Sequence, residues 1–438
     1  IDAMRWAAGL AIADTSVPAN AYPAQVINLS LGGGSCGTLM QQAINEILAA
    51  GVSIVAATGN DGLANTLIAP AACAGVISVT SHVINGENAD YSNVGSATVM
   101  SAAGGGDGTV LTVSQLTTSD VAYYVWSTGL YGRTDPASTA ANGLTGPHVQ
   151  GLTGTSPAAP HVSATAALML SMDPTLTPSQ VQAYLRSTAR PHPAGGYCEL
   201  RVNTCGAGLL DAGRAVGAVA SAAPVPNAGL DQRVVAGGHV ALSGSATAVG
   251  GKTISSYLWS VESGAAVTLV GATNAHASFT APAPGQRVLL RLTVTDSASV
   301  SAHDFALVRV NTAPTLSPRS ALGTAGLSLS LTLQGSDAEV DSLTYALASG
   351  SSLPTGATLT SAGVVSWPSP TVGTHTFNVQ VSDGLEQSSP AQITLVITEP
   401  PSKSGALSPW LLLGLLAWPM VTAMNAAKRR RAQRVRRD

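Results

Sequence analysis

Gly154-Thr155-Ser156-Pro157-Ala158-Ala159-Pro160-His161-Val162 runs on through small and apolar residues to Met172, with no charge until Asp173. Read as a helix from Ala158 to Met172, this stretch is too apolar to face water and is expected to be buried. Pro157 suits the first helical position, where a backbone N–H would be unpaired in any case. Ser156 then stands at the positive end of a buried helix dipole, where a developing anion is stabilised. Thr155 and Ser156 also suit plain capping. The flanking chain has to choose between a cap and a nucleophile.

A chain of 438 residues accommodates several domains. Only 10% of the residues are charged and 4% aromatic, with 46 glycines, the mix of a secreted bacterial β-rich protein. The formal net charge of -3 hides an asymmetry: basic residues crowd between Lys428 and Arg437, so the remainder is distinctly acidic. An acidic body argues against a phosphate-binding surface and hence against a nucleic-acid partner. The chain begins at Ile1 with no signal-like segment, and Ile1 to Leu10 reads as the second half of a helix. A missing or processed N-terminal part is therefore expected.

Residues 1–222 alternate strand and helix patterns. Val26 to Leu31 is a short buried strand ending in Gly32-Gly33-Gly34, and Leu39 to Ala50 follows with apolar residues at a helical period. Gly51 closes that helix. Ser53 to Thr58, Gly75 to Thr80 and Ala97 to Ser101 are the next strands. The pattern implies a parallel sheet, with chemistry beyond the carboxyl ends of its strands, where Ser30-Leu31-Gly32 and Thr58-Gly59-Asn60 fall.

Four ordered blocks carry a resemblance. Ser30-Leu31-Gly32-Gly33, Ala57-Thr58-Gly59-Asn60, Ala89-Asp90-Tyr91-Ser92-Asn93-Val94-Gly95 and Gly154 to Val162 resemble, in order and spacing, the subtilisin-like (S8) serine proteases. Gly206-Ala207-Gly208-Leu209-Leu210-Asp211 is similar to the segment that ends that family's catalytic domain. The resemblance implies an α/β fold, a parallel sheet sandwiched by helices, and protein or peptide substrates. It implies Ser156 as nucleophile, and Asn60 with the Ser156 N–H as oxyanion hole. Ser30, Leu31, Gly32, Ala57, Thr58 and Gly59 would form substrate-binding edges. Gly59-Asn60-Asp61-Gly62 is also strong turn chemistry, but the other blocks favour the oxyanion role. Catalysis of this kind needs no cofactor and no metal.

A serine nucleophile needs a general base and an orienting carboxylate. The family carries these on segments that would precede Ile1. Asp14-Thr15-Ser16 lacks the expected glycine, and no histidine is followed by glycine. His161 matches a family packing position, and His148 reads as a loop residue in the Gly-rich insertion 104–153. The chain alone is expected to be nearly inert. Pro157 stands where the family commonly has methionine, which removes an oxidisable side chain beside the serine.

Cys36, Cys73, Cys198 and Cys205 allow three pairings. Proximity favours Cys36–Cys73 and Cys198–Cys205, and no close pairing with histidines supports zinc. Within the family the cysteine pattern resembles extracellular proteases of Gram-negative bacteria.

Beyond residue 222 the helices stop and short strands recur between turns, the pattern of β-sandwiches. Residues 223–311, with Pro226-Asn227-Ala228-Gly229 and Tyr257-Leu258-Trp259, resemble a PKD-type Ig-like module. Residues 312–399, with Leu353-Pro354-Thr355-Gly356 and Val381-Ser382-Asp383-Gly384, resemble a cadherin-like Ig-like module. Trp259 and Trp367 read as core residues. Asp337, Glu339 and Asp341 offer oxygen ligands suited to structural calcium, though such residues near a turn are more often solvated. The modules are expected to space the protease from a surface or to bind an extracellular polymer.

Residues 400–404 read as a linker and 405–427 as a transmembrane helix, long enough for a bilayer. The basic tail 428–438 would stay cytoplasmic. Ser404-Gly405, the apolar span and the basic cluster resemble a GlyGly-type sorting signal. Two readings stand: an exported serine endopeptidase lacking its N-terminal part, or a non-catalytic, surface-anchored binding protein with a degenerate protease domain.

Overall fold

The computed structural model describes residues 1–14, 16–106, 124–130 and 147–400. The expected span at 405–427 and the basic tail lie outside the described residues, as do most of the linker and Thr15. No helix among the described residues is long and apolar enough to cross a membrane. Contacts divide the chain into two compact units. The first is Ile1–Ala313 with Asp337–Ser342, and the second is Pro314–Ser336 with the chain from Leu343 onward.

The N-terminal part of the first unit is built on four parallel strands in sequence order, β1 (Val26–Leu29), β2 (Ser53–Ala57), β3 (Ile77–His82) and β4 (Met100–Ala103). All five residues of β2 are buried, because both faces of the sheet are covered. Ile54 and Ala56 pack with Ile44 and Ile47 of α2 (Thr38–Ala49) and with Met4 of α1 (Asp2–Ala7). Val55 and Ala57 face the other way, into a core with Ala158, Val162 and Met169 of α3 (Thr155–Met172). Two further helices join that second core, α4 (Pro178–Ser187) and α6 (Ala212–Ala220). A short α5 (Tyr197–Leu200) lies between them in sequence. Only the β1–β2 crossover is helical; β2–β3 and β3–β4 are joined by irregular segments that carry the site.

Three expectations need correction. Helix α3 begins at Thr155, so Pro157 is its third residue rather than its first. A proline is tolerated there because the first four N–H groups of a helix have no intrahelical partner. The helix is also not wholly buried: Leu168 is 54% and Met172 53% exposed, because the sheet covers one face of an all-round apolar helix. His148 is not in a loop but in the strand β6 (Pro147–Leu152), paired antiparallel with β5 (Val125–Leu130).

Both disulfides form as proximity suggested, Cys36–Cys73 and Cys198–Cys205, and no cysteine is free. Cross-linking residues 37 apart in sequence removes about 4 kcal/mol of chain entropy from the unfolded state.

The PKD-like part carries a four-stranded sheet in the order Ile254–Gly264, Arg287–Asp296, Ser301–Val310 and Gln232–Val234. Trp259 is buried at its centre and its indole donates to the Ala275 carbonyl, as a buried indole requires. This module is fastened to the N-terminal part by charge. Glu199 of α5 is only 4% exposed and is held by Arg287 at 2.7 Å and Arg309 at 3.4 Å. Arg309 also faces Glu339 at 3.7 Å, and Arg233 holds Asp341 at 2.7 Å. The carboxylates of Asp337, Glu339 and Asp341 do converge, but two guanidinium groups already supply positive charge there.

In the second unit the strands Arg319–Thr324, Ala391–Thr398, Gly373–Ser382 and Thr344–Leu347 lie in that order. Trp367 is its core tryptophan, donating to the Thr355 carbonyl.

Removing the Glu199 carboxylate strands Arg309, 8% exposed at its side chain, without one of its partners. Glu199→Ala is expected to destabilise the first unit by about 3 kcal/mol, measured by urea unfolding. Burial pushes the carboxyls of Asp231 and Asp304 up to about 6. Such acids ionise more readily in the unfolded chain, so stability falls as pH rises from about 4 through 6 and stays reduced above. Asp304→Asn keeps an acceptor for the Ala228 N–H, donated at 2.8 Å. The variant should show a flatter melting temperature between pH 4 and pH 7 than the parent, measured by calorimetry.

Candidate active site

Strand β2 ends at Ala57, and the chain then passes Thr58 and turns through Gly59 at φ 110° into Asn60. The Asn60 side chain crosses to the start of α3, ninety-five residues later. Its Oδ1 accepts from the Thr155 N–H and from Thr155 Oγ1, both at 2.8 Å. Because a peptide N–H can only donate, Oδ1 must face the helix. The amide Nδ2 is thereby the arm left to serve as a donor, and it lies beside Gly154 at the mouth of the helix. The same hydroxyl takes the Gly59 N–H at 3.2 Å, so Thr155 locks both Gly59 and Asn60.

Ser156 is the second residue of α3, with its own N–H among those left without an intrahelical acceptor. Its carbonyl would ordinarily receive the N–H of residue 160, but Pro160 has none. Ser30 Oγ fills the gap, donating to the Ser156 carbonyl at 2.7 Å. In return Ser156 Oγ donates to the Ser30 carbonyl at 3.3 Å. The end of β1 and the start of α3 are thus stitched together by two hydroxyls and a proline.

Beyond Ser30 the chain lies against residue 69: Gly33 N–H donates to Ala69 O, and Ala69 N–H to Gly34 O, each at 2.9 Å. The Cys36–Cys73 bridge closes the same pair of segments. A Cβ at Gly32 would sit 2.6 Å from the Ala69 carbonyl oxygen, so this approach requires glycine. Leu31 projects into solvent at 66% exposure. Ala57 and Thr58 are buried, and the Thr58 peptide is already paired with Val79 and Ile68. Of the two expected edges, the one at Leu31 is open and the one at Thr58–Gly59 forms a wall.

A third segment, which the sequence singled out only as a block, backs the other two. Tyr91 Oη reaches the carbonyls of Gly104 at 3.1 Å and Gly105 at 2.6 Å, and burial pushes its phenol up, keeping it a donor. Gly104 O in turn accepts the Gly154 N–H at 3.0 Å. No histidine among the described residues bonds to Ser156. His161 lies on the exposed face of α3 with Nδ1 on the Pro157 carbonyl, and His82, its pKa lowered by burial, is engaged at Val83.

Two loop ends and a helix start converge on one serine at the carboxyl edge of a parallel sheet, and the profile of the Subtilase family matches residues 1–234. The chain belongs to the Subtilase family. A PKD domain profile matches residues 228–310, and a putative Ig domain matches residues 309–398. The chain is 39% identical over 217 residues to an extracellular protease of Xanthomonas campestris pv. campestris, covering 49% of this chain and 32% of that protein. It is 35% identical over 224 residues to an extracellular basic protease of Dichelobacter nodosus, covering 50% of this chain and 32% of that protein. The chain therefore spans about a third of the length of these curated relatives. Among solved structures, a protease from Pseudoalteromonas arctica shows 37% identity and a TM-score of 0.41, over 50% of this chain and 57% of that one.

Within the subtilase domain, the sequence had not pointed to Pro160 as the cause of the Ser30–Ser156 pairing, nor to the supports at Tyr91 and Asn93. Ser30→Ala leaves the Ser156 carbonyl without its donor in a half-buried setting. A loss of about 1 kcal/mol in unfolding free energy is expected from denaturant titration.

Proposed function

We propose that this subtilase domain belongs to an exported serine endopeptidase in which Ser156 is the nucleophile. The Asn60 Nδ2 and the Ser156 N–H bind the oxyanion. The observation that carries this reading is the orientation of the Asn60 amide, forced by the two Thr155 donors to its Oδ1. A donor held in place before charge develops stabilises a tetrahedral intermediate without reorganisation. Ser156 Oγ attacks the scissile carbonyl, its proton passes to a general base, and the carbonyl oxygen takes the negative charge.

The base and its orienting carboxylate are assigned to a part of the protein preceding Ile1, in keeping with the limited span of the chain on its relatives. Leu31 and Gly32 offer the open edge for an extended substrate backbone, with Ala57, Thr58 and Gly59 as the wall beside it. No cofactor or metal enters the reaction. The extracellular relatives support export, and the apolar residues 405–427 would hold the product at a membrane during it. The Ig-like modules would present the protease to a surface or polymer. A non-catalytic binding protein is the second reading, favoured by the absence of a histidine on Ser156 among the described residues.

An active-site phosphonate should label the full-length natural protein at Ser156, with labelling abolished by Ser156→Ala. Unlabelled full-length protein would favour the binding protein instead. Asn60→Ala should lower kcat by about 10²–10³, or roughly 2.7–4 kcal/mol of transition-state stabilisation, the loss known for this donor in a subtilisin.

A further inference from the structure

We propose that Asn93 is the positioning residue of the oxyanion loop, its buried carboxamide setting where Asn60 presents Nδ2. The proposal rests on the reading of Asn60 as an oxyanion donor.

The loop from Thr58 to Leu63 has no regular structure, and Gly59 and Gly62 hold left-handed conformations at φ 110° and 66°. Its bonds converge on one side chain. Asn93 Oδ1 accepts the N–H groups of Asp61 and Leu63, each at 3.0 Å. Its Nδ2 faces the Thr58 carbonyl at 3.4 Å and Asp61 Oδ2 at 3.3 Å. The Asn93 backbone adds an N–H to Gly59 O at 3.0 Å and a carbonyl that accepts from Thr58 Oγ1 at 2.8 Å. Asn93 therefore grips the chain on both sides of Asn60 without touching Asn60 itself.

Asn93 is fully buried, and a Cβ at Gly59 would lie 2.4 Å from its Nδ2. The loop has closed onto this amide with no space left between them. The same segment holds the other half of the site, through Tyr91 to Gly104 and from Gly104 to Gly154. One short stretch, Tyr91 to Asn93, thus spaces the Asn60 amide from the Ser156 N–H.

The job needs an amide. Only a carboxamide offers an acceptor for two N–H groups and donors on its other arm. An oxyanion donor works over a narrow range of distance, and a displacement of about 1 Å costs on the order of 10²-fold in rate. Asn93 touches no reacting atom, so its effect should appear in turnover rather than in substrate binding.

The test uses the natural full-length protease with a chromogenic peptide, alongside thermal unfolding. Asn93→Ala removes both arms of the amide. Asn93→Asp keeps the acceptor but sets an oxygen against Thr58 O and Asp61 Oδ2. We expect kcat to fall about 10–100-fold for Asn93→Ala and less for Asn93→Asp, with KM within about twofold. In an Asn60→Ala background neither substitution should lower kcat further. If Asn93→Ala does not fold, the isosteric Asn93→Asp variant decides by the same two readouts. Unchanged kcat, or losses that multiply with that of Asn60→Ala, would overturn the positioning role. An Asn60→Ala variant with full kcat would instead remove the oxyanion reading beneath it.

Discussion

The pair of hydrogen bonds from Thr155 to Asn60 Oδ1 is the constraint on which the site depends. It joins the end of a central strand to the start of the helix that covers that strand. The backbone donor is obligatory and cannot rotate away, so it settles which arm of the amide faces the helix. Every other feature of the site refers to this junction. Gly59 must turn there, Ser30 must reach the carbonyl freed by Pro160, and Tyr91 must hold Gly104, whose carbonyl takes the N–H of Gly154 just before the helix. The sheet supplies rigidity beneath it, with both faces of β2 packed against helices.

The PKD-like module stands in a closer relation to the subtilase domain than a tethered appendage. Glu199 sits in the short loop closed by Cys198–Cys205, and its carboxylate is satisfied by arginines from two strands of the module. A buried carboxylate without such partners would be strongly unfavourable, so the two parts depend on each other for stability. Around that contact, Asp231 and Asp304 are half-buried, and loss of hydration moves their carboxyls into the range of mildly acidic pH. Stability at this junction therefore responds to pH, whereas the junction of Asn60 with Thr155 uses groups that do not titrate.

The order of the families along the chain could be read from the residues alone. The strands at Val26, Ser53 and Ile77 announced themselves as short apolar runs ending in glycine or small polar residues. The two disulfides followed from proximity along the chain. Helix α3 was legible in its interior but misread at its start. A proline suits the first helical residue, yet Thr155 begins the helix because its N–H and hydroxyl have a tertiary partner in Asn60. Helix α3 is exposed at Leu168 and Met172 for a related reason: composition says that a helix is apolar, not which face a sheet will cover.

The sequence by itself determined most of the local elements and the family blocks around Ser156 and Asn60. These are short-range properties, set by periodicity, turn residues and the chemistry of single side chains. Tertiary structure alone decided which way the Asn60 amide points, why Ser30 bonds to Ser156, and that Asn93 carries the loop. It also decided that Glu199 answers to arginines in another module. Those bonds join residues separated by 95, 126, 32 and 110 positions. No local pattern encodes a partner so distant; it exists only once the sheet has brought the strand ends, the loop and the helix start to one edge.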